Sequence, residues 1–166
     1  MGFGNKVWAI FKTGVCVILL GSLVACQGGI GSYAGKTVDA KDRIELLEGG
    51  PHRGSWETRD LLVEFQYSRE PQDLKISGLI KLQEYLRNIY WLKNLYLRLH
   101  FVDAGGKVMA DQALLKSVSN LKRVPSEVPF QVELKIPGDA AAIAFIYRGW
   151  AKAGPRSEDW EFWKLP

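Results

Sequence analysis

Cysteine is scarce in this sequence, and its scarcity excludes several kinds of site. The chain of 166 residues has only two cysteines, Cys16 and Cys26, and both lie near its N-terminus. Residues 27–166 therefore cannot form a disulfide with one another, a cysteine-ligated zinc site or a thiol nucleophile. A domain built from these residues has to be stabilised by the burial of apolar surface, without covalent crosslinks.

Histidine and the short motifs of common enzymes are also rare. The two histidines are His52, in a predicted connection, and His100, on the polar face of a predicted strand, and we expect exposed or hydrogen-bonded rings at both positions. The sequence has no Gly-x-Ser-x-Gly elbow, phosphate-binding loop or complete calcium loop. We therefore predict no catalytic residue, metal site or cofactor. The alternative is an unrecognised hydrolase site around His52, with Glu57 and Asp60 as the nearest carboxylates.

A strong excess of one charge is missing as well. The chain has 22 Lys and Arg residues against 18 Asp and Glu residues, a net charge of +4, and two of the lysines precede Cys26. No long run of like charge occurs. Because nucleic-acid-binding domains concentrate basic residues on one surface, we do not expect a nucleic-acid partner.

The first 26 residues, by contrast, have a clear pattern. Lys6 and Lys12 are their only charged residues, and 13–25 is a continuous weakly polar to apolar run. A positive start, a short apolar core and a small residue before the cut are typical of a secretory signal peptide. The run is too short for a comfortable membrane span, which needs ~20 apolar residues.

The end of this run, Leu23-Val24-Ala25-Cys26, resembles the lipobox of bacterial lipoproteins. The resemblance implies cleavage between Ala25 and Cys26 and attachment of a diacylglyceryl group to the Cys26 thiol, usually with acylation of the new amine. Two or three acyl chains give stable anchoring. Because Gln27 and not Asp follows the cysteine, the resemblance implies the outer membrane, facing the periplasm. The alternatives are a plain signal peptide or a retained anchor helix.

The remaining chain divides into a tether and one domain. Residues 27–35 are rich in Gly and Ser, and the following residues to 43 are polar. We therefore predict a helical signal peptide over 1–25, the lipidated cysteine with a flexible tether over 26–42, and a packed domain over 43–166.

Alternating apolar and polar residues predict strands through most of this domain. The clearest alternation places Leu95, Leu97, Leu99 and Phe101 on one strand face. The predicted strands cover 43–48, 60–67, 74–82, 95–102, 107–115, 130–136, 140–150 and 159–165. Gly49-Gly50-Pro51 is expected to end the first strand, 52–58 and 117–127 to be connections, and 83–94 to be a loop with a helical turn.

Seven or eight short strands with turn residues between them predict an all-β, antiparallel β-sandwich. The segment 96–150 resembles the immunoglobulin-like domains of many bacterial lipoproteins. The features that carry the resemblance are the strand ending in Phe101-Val102, the hairpin over 103–108 and the strand that begins at 129. The resemblance implies an immunoglobulin-like architecture and no particular activity.

Aromatic residues are the remaining positive signal, and they form two groups. Exposed aromatic rings bind proteins or sugars, whereas buried rings fill cores. The C-terminal group, Trp150, Trp160 and Trp163, is expected to pack in the core. The other group is predicted to contact an envelope protein, or alternatively an envelope glycan, and consists of Tyr85, Tyr90, Trp91 and Tyr96.

Overall fold

The structure is a computed structural model that describes residues 33–89, 91–121 and 125–166, with side chains described outside 116–121. The predicted signal peptide, its cleavage site at Ala25 and Cys26, and Tyr90 lie outside the described residues. None of the helices in the described ranges is long and apolar enough to cross a membrane.

The described part of the chain contains nine strands, a 3-10 helix at Ala40–Asp42 and one helical turn, α1, at Glu84–Arg87. The strands are β1 Ile44–Glu45, β2 Gly49–Glu57, β3 Leu61–Arg69, β4 Asp73–Leu82, β5 Trp91–Val102, β6 Val108–Leu121, β7 Glu127–Lys135, β8 Ala142–Lys152 and β9 Asp159–Lys164. The helical turn predicted within 83–94 is confirmed.

The strands form two antiparallel sheets. One has the order β2-β3-β4-β7; in the other, β8 pairs with β5 on one side and with β1 and β9 on the other, and β6 pairs with β5. The β3–β4 pair thus lies in one sheet and the β5–β6 pair in the other. Strand β7 then pairs with β4, and β8 pairs with β5. Two antiparallel sheets of four and five strands form the sandwich. The predicted antiparallel sandwich is confirmed.

The core lies between the two sheets and is rich in aromatic rings. Phe145 of β8 contacts Phe65 of β3 with ring centroids 5.1 Å apart, and Trp56 of β2 with centroids 5.6 Å apart. The apolar positions of β5 identified from alternation are all fully buried. Each such side chain contributes roughly 1.5–3 kcal/mol to folding, so the interior can replace the missing disulfides.

Strand β2 corrects the prediction for 49–58. The residues expected to end a strand and form a connection instead make a nine-residue strand, Gly49–Glu57. Pro51 is tolerated because β2 is an edge strand. Gly54 is required because a Cβ there would lie 2.6 Å from the ring of Phe65, which covers it. The residues that usually punctuate loops therefore serve a strand here.

Two further strands are longer than alternation suggests. Strand β5 begins at Trp91, and β6 continues to Leu121, so 117–121 is strand and not connection. The register of this pair shifts near Leu95 and Leu97, which interrupts the two-residue period. Gly78, by contrast, allows the expected close approach, since a Cβ there would lie 2.2 Å from the carbonyl oxygen of Glu64.

The segment before the first strand also differs from the expected tether over 26–42. Residues 33–38, here called the strap, lie against the second sheet. The amide of Gly35 donates to the carbonyl of Val108 at 2.8 Å, and that of Val38 to the carbonyl of Gly106 at 2.9 Å. Val38 is only 2% exposed because it packs on apolar side chains of the outer face. The packed part of the chain therefore includes the strap.

Candidate functional site

The outer face of the β9-β8-β5-β6 sheet has two halves with different surroundings. The strap covers the half next to the β5–β6 hairpin, where it packs on Val102, Val108 and Ala144. No described residue forms a comparable layer over the other half, here called the uncovered half. We define it by Tyr96 of β5, Arg148 and Trp150 of β8, and Glu161 and Trp163 of β9.

Strand register places the members of the uncovered half side by side. Tyr96 is paired with Arg148, Arg148 with Trp163, and Trp150 with Glu161. Residues directly opposite one another in an antiparallel ladder share one face of the sheet. Five residues from three strands therefore form one continuous surface.

Contacts within the uncovered half hold its side chains in place. The rings of Tyr96 and Trp150 meet edge to face with centroids 6.2 Å apart. The guanidinium carbon of Arg148 lies 4.5 Å from the Trp150 ring centroid, and Arg148 also donates to Glu161. Trp163 remains 55% exposed. Cation–π contacts of this kind contribute about 0.5–1 kcal/mol at exposed sites, so the surface is partly preorganised.

The structure divides the aromatic group predicted from the sequence. Tyr96 lies in the uncovered half, and Trp91 lies at the start of β5, opposite Lys152. Tyr85 is elsewhere: its ring stacks on Trp160, with centroids 6.1 Å apart, at the end of the sandwich. Tyr90 lies outside the described residues. Tyr85 and Tyr96 therefore do not share the single contact surface that their spacing suggested.

The C-terminal tryptophans divide in the same way. Trp160 packs against the core as expected, but Trp163 is largely exposed, which contradicts the expectation of core packing. Trp150 is half-buried on the outer face. Alternation along β9 explains the difference, since Trp160 and Phe162 occupy one face and Glu161 and Trp163 the other.

A buried carboxylate lies at one end of the sandwich. Asp60 is 1% exposed and accepts hydrogen bonds from Arg59 Nε at 2.8 Å, from the Tyr147 hydroxyl at 2.6 Å and from the Tyr85 hydroxyl. Burial alone would raise the pKa of Asp60, but the hydrogen bonds from Arg59, Tyr147 and Tyr85 outweigh burial and lower it. Burial and the Asp60 carboxylate raise the pKa of Tyr85 to about 12 and also raise that of Tyr147.

This cluster is suited to structure more than to proton transfer. A carboxylate with a lowered pKa is a weak general base, since the best catalytic pKa lies near the working pH. Asp60 instead joins the β2–β3 connection to α1 through Tyr85 and to β8 through Tyr147. A cleft of about 370 Å³ next to it is lined in part by Arg59 and Trp163.

The hydrolase alternative placed His52, Glu57 and Asp60 together, and the structure does not. His52 and Glu57 are five residues apart in β2, which corresponds to about 17 Å along a strand. His52 Nε2 lies 2.9 Å from the carbonyl oxygen of Glu48, in line with a hydrogen-bonded histidine. Among the described residues no three His, Cys, Asp or Glu side chains are grouped as metal ligands would be.

His100 differs from the expected exposed or hydrogen-bonded ring. It is 0% exposed, its ring centroid lies 5.3 Å from that of Tyr33, and neither ring nitrogen has a partner among the described residues. Burial lowers the pKa of His100 to about 4, an effect that Asp111 opposes and Arg98 reinforces. The prediction was wrong because the strap covers this part of the polar face.

The opposite outer face, on the β2-β3-β4-β7 sheet, has a different chemistry. It contains a polar groove of about 660 Å³ whose lining includes Gln66, Ser77 and Gln131. These three residues are paired across β3, β4 and β7, and Gln66 Nε2 donates to Ser77 Oγ at 3.4 Å. Amide, hydroxyl and charged side chains line this surface, including Lys75 and Glu133, whereas rings and a guanidinium dominate the uncovered half.

The two outer faces therefore differ in their chemistry. The uncovered half has aromatic rings and one cation, Arg148, and its residues lie on paired strands. These are features of contact surfaces. Comparison of the chain with models of protein families, with curated proteins and with solved structures finds no match.

Proposed function

We propose that this chain is a lipid-anchored lipoprotein of the bacterial envelope that acts as a non-catalytic binding or assembly module. The signal-like N-terminus and the lipobox-like ending at Cys26 support the anchor and a location at the outer membrane, facing the periplasm. The uncovered half of the outer face is its contact surface.

The observation that carries the binding role is the exposure of Trp163 beside Arg148 and Trp150. Tryptophan, tyrosine and arginine are the residues most enriched at the energetic centres of interfaces. Here Arg148 is already restrained by Trp150 and Glu161, so it loses little side-chain freedom when a ligand binds. A surface of this composition is suited to recognition.

The polar clusters support a role without catalysis. The ionised carboxylate of Asp60 is occupied by its three donors, and His52 is separated from the other members of its predicted set. The Tyr85 and Tyr147 hydroxyls that contact Asp60 have raised pKa values, so neither is activated as a nucleophile. The module therefore acts through contact.

A second candidate function is the binding of an envelope glycan at the same surface. The observation that favours it is the exposed ring of Trp163, because a flat amphipathic ring offers a stacking platform for a sugar. The edge-to-face arrangement of Tyr96 and Trp150 would then border the platform.

A photocrosslinking residue in place of Trp163 tests the contact surface in cells. We expect crosslinked products from this position and none from the matched control, Glu133, which is exposed on the opposite sheet. The chemical class of the product separates an envelope protein from a glycan or a lipid. Equal yields at the two positions would show that the uncovered half is not the contact surface.

The anchor is tested separately with Cys26→Ser. We expect loss of metabolic labelling by a radiolabelled fatty acid and accumulation of the unprocessed chain, since the substituted residue has no thiol to acylate. Normal processing of the variant would contradict the lipoprotein proposal and leave the contact surface unaffected.

A further inference from the structure

We propose that the uncovered half rests on the headgroup layer of the membrane in which Cys26 is anchored. This inference rests on the proposed lipid anchor and names the ligand of the proposed contact surface. Three observations support it. The connection between Cys26 and the domain is short, the chain enters the domain at Tyr33, and the residues near Tyr33 suit a membrane surface.

The connection between the lipid and the domain is short. Only residues 27–32 separate Cys26 from Tyr33, and a fully extended chain advances at most about 3.6 Å per residue. Tyr33 can therefore lie no more than about 25 Å from the lipidated residue. The hydrogen bonds of the strap to β6 hold this entry point on the domain.

The entry point lies on the aromatic side of the sandwich. Tyr33 packs on His100, at the border between the strap-covered half and the uncovered half. His100 is paired with Ala144, and Arg148 lies on the same face of β8 four residues further along the strand. The polar groove lies on the outer face of the other sheet, and packed sheets are separated by about 10 Å. The uncovered half is thus the outer face on the side of the lipid.

The side chains of the uncovered half match a lipid–water interface. Tryptophan and tyrosine concentrate at the headgroup level because their rings are apolar and their N–H or O–H groups are polar. Arg148 is partly neutralised by Glu161, so the contact depends on ring burial more than on net charge. Anchored attachment gives a high effective concentration of membrane, so a weak contact is sufficient.

Tryptophan quenching by brominated lipid tests this inference on the mature lipidated protein. The protein is reconstituted in phosphatidylethanolamine–phosphatidylglycerol vesicles with or without lipids brominated high in the acyl chain. We expect quenching of wild-type emission, a loss of at least half of the quenched fraction in Trp163→Phe, and a smaller loss in Trp150→Phe. Trp56→Phe is the matched control, because Trp56 is buried between the sheets and its loss should leave the quenched fraction intact.

The outcomes separate the two proposals. Mass spectrometry and flotation with the vesicles establish whether acyl chains are present, and their absence would overturn both the anchor and this inference. Acylated, floating protein whose emission is not quenched, or is quenched equally in Trp163→Phe, would overturn the membrane contact alone. Emission that responds to soluble glycan fragments and not to brominated lipid would overturn it in favour of a glycan. Circular dichroism confirms that each variant is folded.

Discussion

Asp60, in the connection between β2 and β3, and His100, on the outer face of β5, are both buried polar side chains, yet their surroundings differ. Asp60 accepts hydrogen bonds from three side chains, whereas the ring nitrogens of His100 have no partner among the described residues. Both pKa values are lowered, but the consequences are opposite: the Asp60 carboxylate is held charged, and the His100 ring is held neutral.

The difference shows how each group came to be buried. Asp60 is enclosed by elements that belong to the sandwich itself, so its burial is part of the fold. His100 would lie on an open sheet face if Tyr33 and the rest of the strap were absent. The first group therefore reports on the integrity of the core, and the second reports on the attachment of the strap.

Removal of the Asp60 carboxylate is expected to have the largest effect. In Asp60→Ala the hydroxyls of Tyr147 and Tyr85 lose their charged acceptor. Hydrogen bonds to a charged group contribute about 1.5–3 kcal/mol each, so we expect a loss of about 3 kcal/mol or more. Urea denaturation should show this decrease in the free energy of unfolding. Asp139→Ala, at an exposed turn residue, is the control and should stay within about 0.5 kcal/mol of wild type. Equal effects in the two variants would contradict the structural role of Asp60.

The pH dependence of stability should isolate His100. Its pKa is about 4 in the folded protein and 6.5 when unperturbed, so the unfolded chain takes up the proton first as the pH falls. Stability is therefore complete above pH 6.5 and declines towards pH 4. The loss reaches about 3 kcal/mol, since one pKa unit corresponds to about 1.4 kcal/mol. His100→Leu should lack this component.

The measurement is urea unfolding between pH 4 and 7 for wild type and His100→Leu. Arg98 and Asp111, which face His100, are retained in both proteins, so the two proteins differ only in the imidazole. The lowered pKa of Asp60 places its own contribution below pH 3.8, mostly outside this range. Parallel profiles for the two proteins would mean that His100 is accessible and the strap is detached.

Alternation of apolar and polar residues predicted much of this fold because most strands have one face in the core. The central part of β5 and the whole of β9 follow that rule. Alternation failed at β2, where Pro51 and Gly54 usually indicate a loop, and along β6, where register shifts interrupt the period. In each of these cases a tertiary contact overrides the local preference.

The candidate site was harder to predict than the fold. Tyr85 and Tyr96 are close in sequence, but α1 and β5 carry them to different surfaces. Trp163 joins Tyr96 only through the pairing of β9 with β8 and of β8 with β5. The burial of His100 likewise depends on Tyr33, which is distant in sequence. Local patterns do not contain such long-range pairings.

The Tyr147 hydroxyl is the next most important partner of Asp60. Tyr147→Phe keeps the ring that packs on Phe162 and removes only the donor at 2.6 Å from Asp60 Oδ2. Hydrogen bonds to a charged group contribute about 1.5–3 kcal/mol, so we expect a loss near 2 kcal/mol in urea unfolding. A loss as large as that of Asp60→Ala would mean that Tyr147 and not the carboxylate organises this end of the sandwich.

Tyr85→Phe should have the smallest effect, about 0.5–1 kcal/mol, because water can replace its hydroxyl as a donor to Asp60. Tyr85 is 43% exposed, whereas Tyr147 is fully buried. Tyr96→Phe is the control, because Tyr96 lies outside the Asp60 cluster and its loss of a hydroxyl should not change stability measurably. The double variant Tyr85→Phe/Tyr147→Phe should lose more than the sum of the single losses, since the buried carboxylate then has only Arg59 as a donor. If the two losses simply add, the two hydroxyls act independently. Solvent would then already reach Asp60, whereas it does not reach His100.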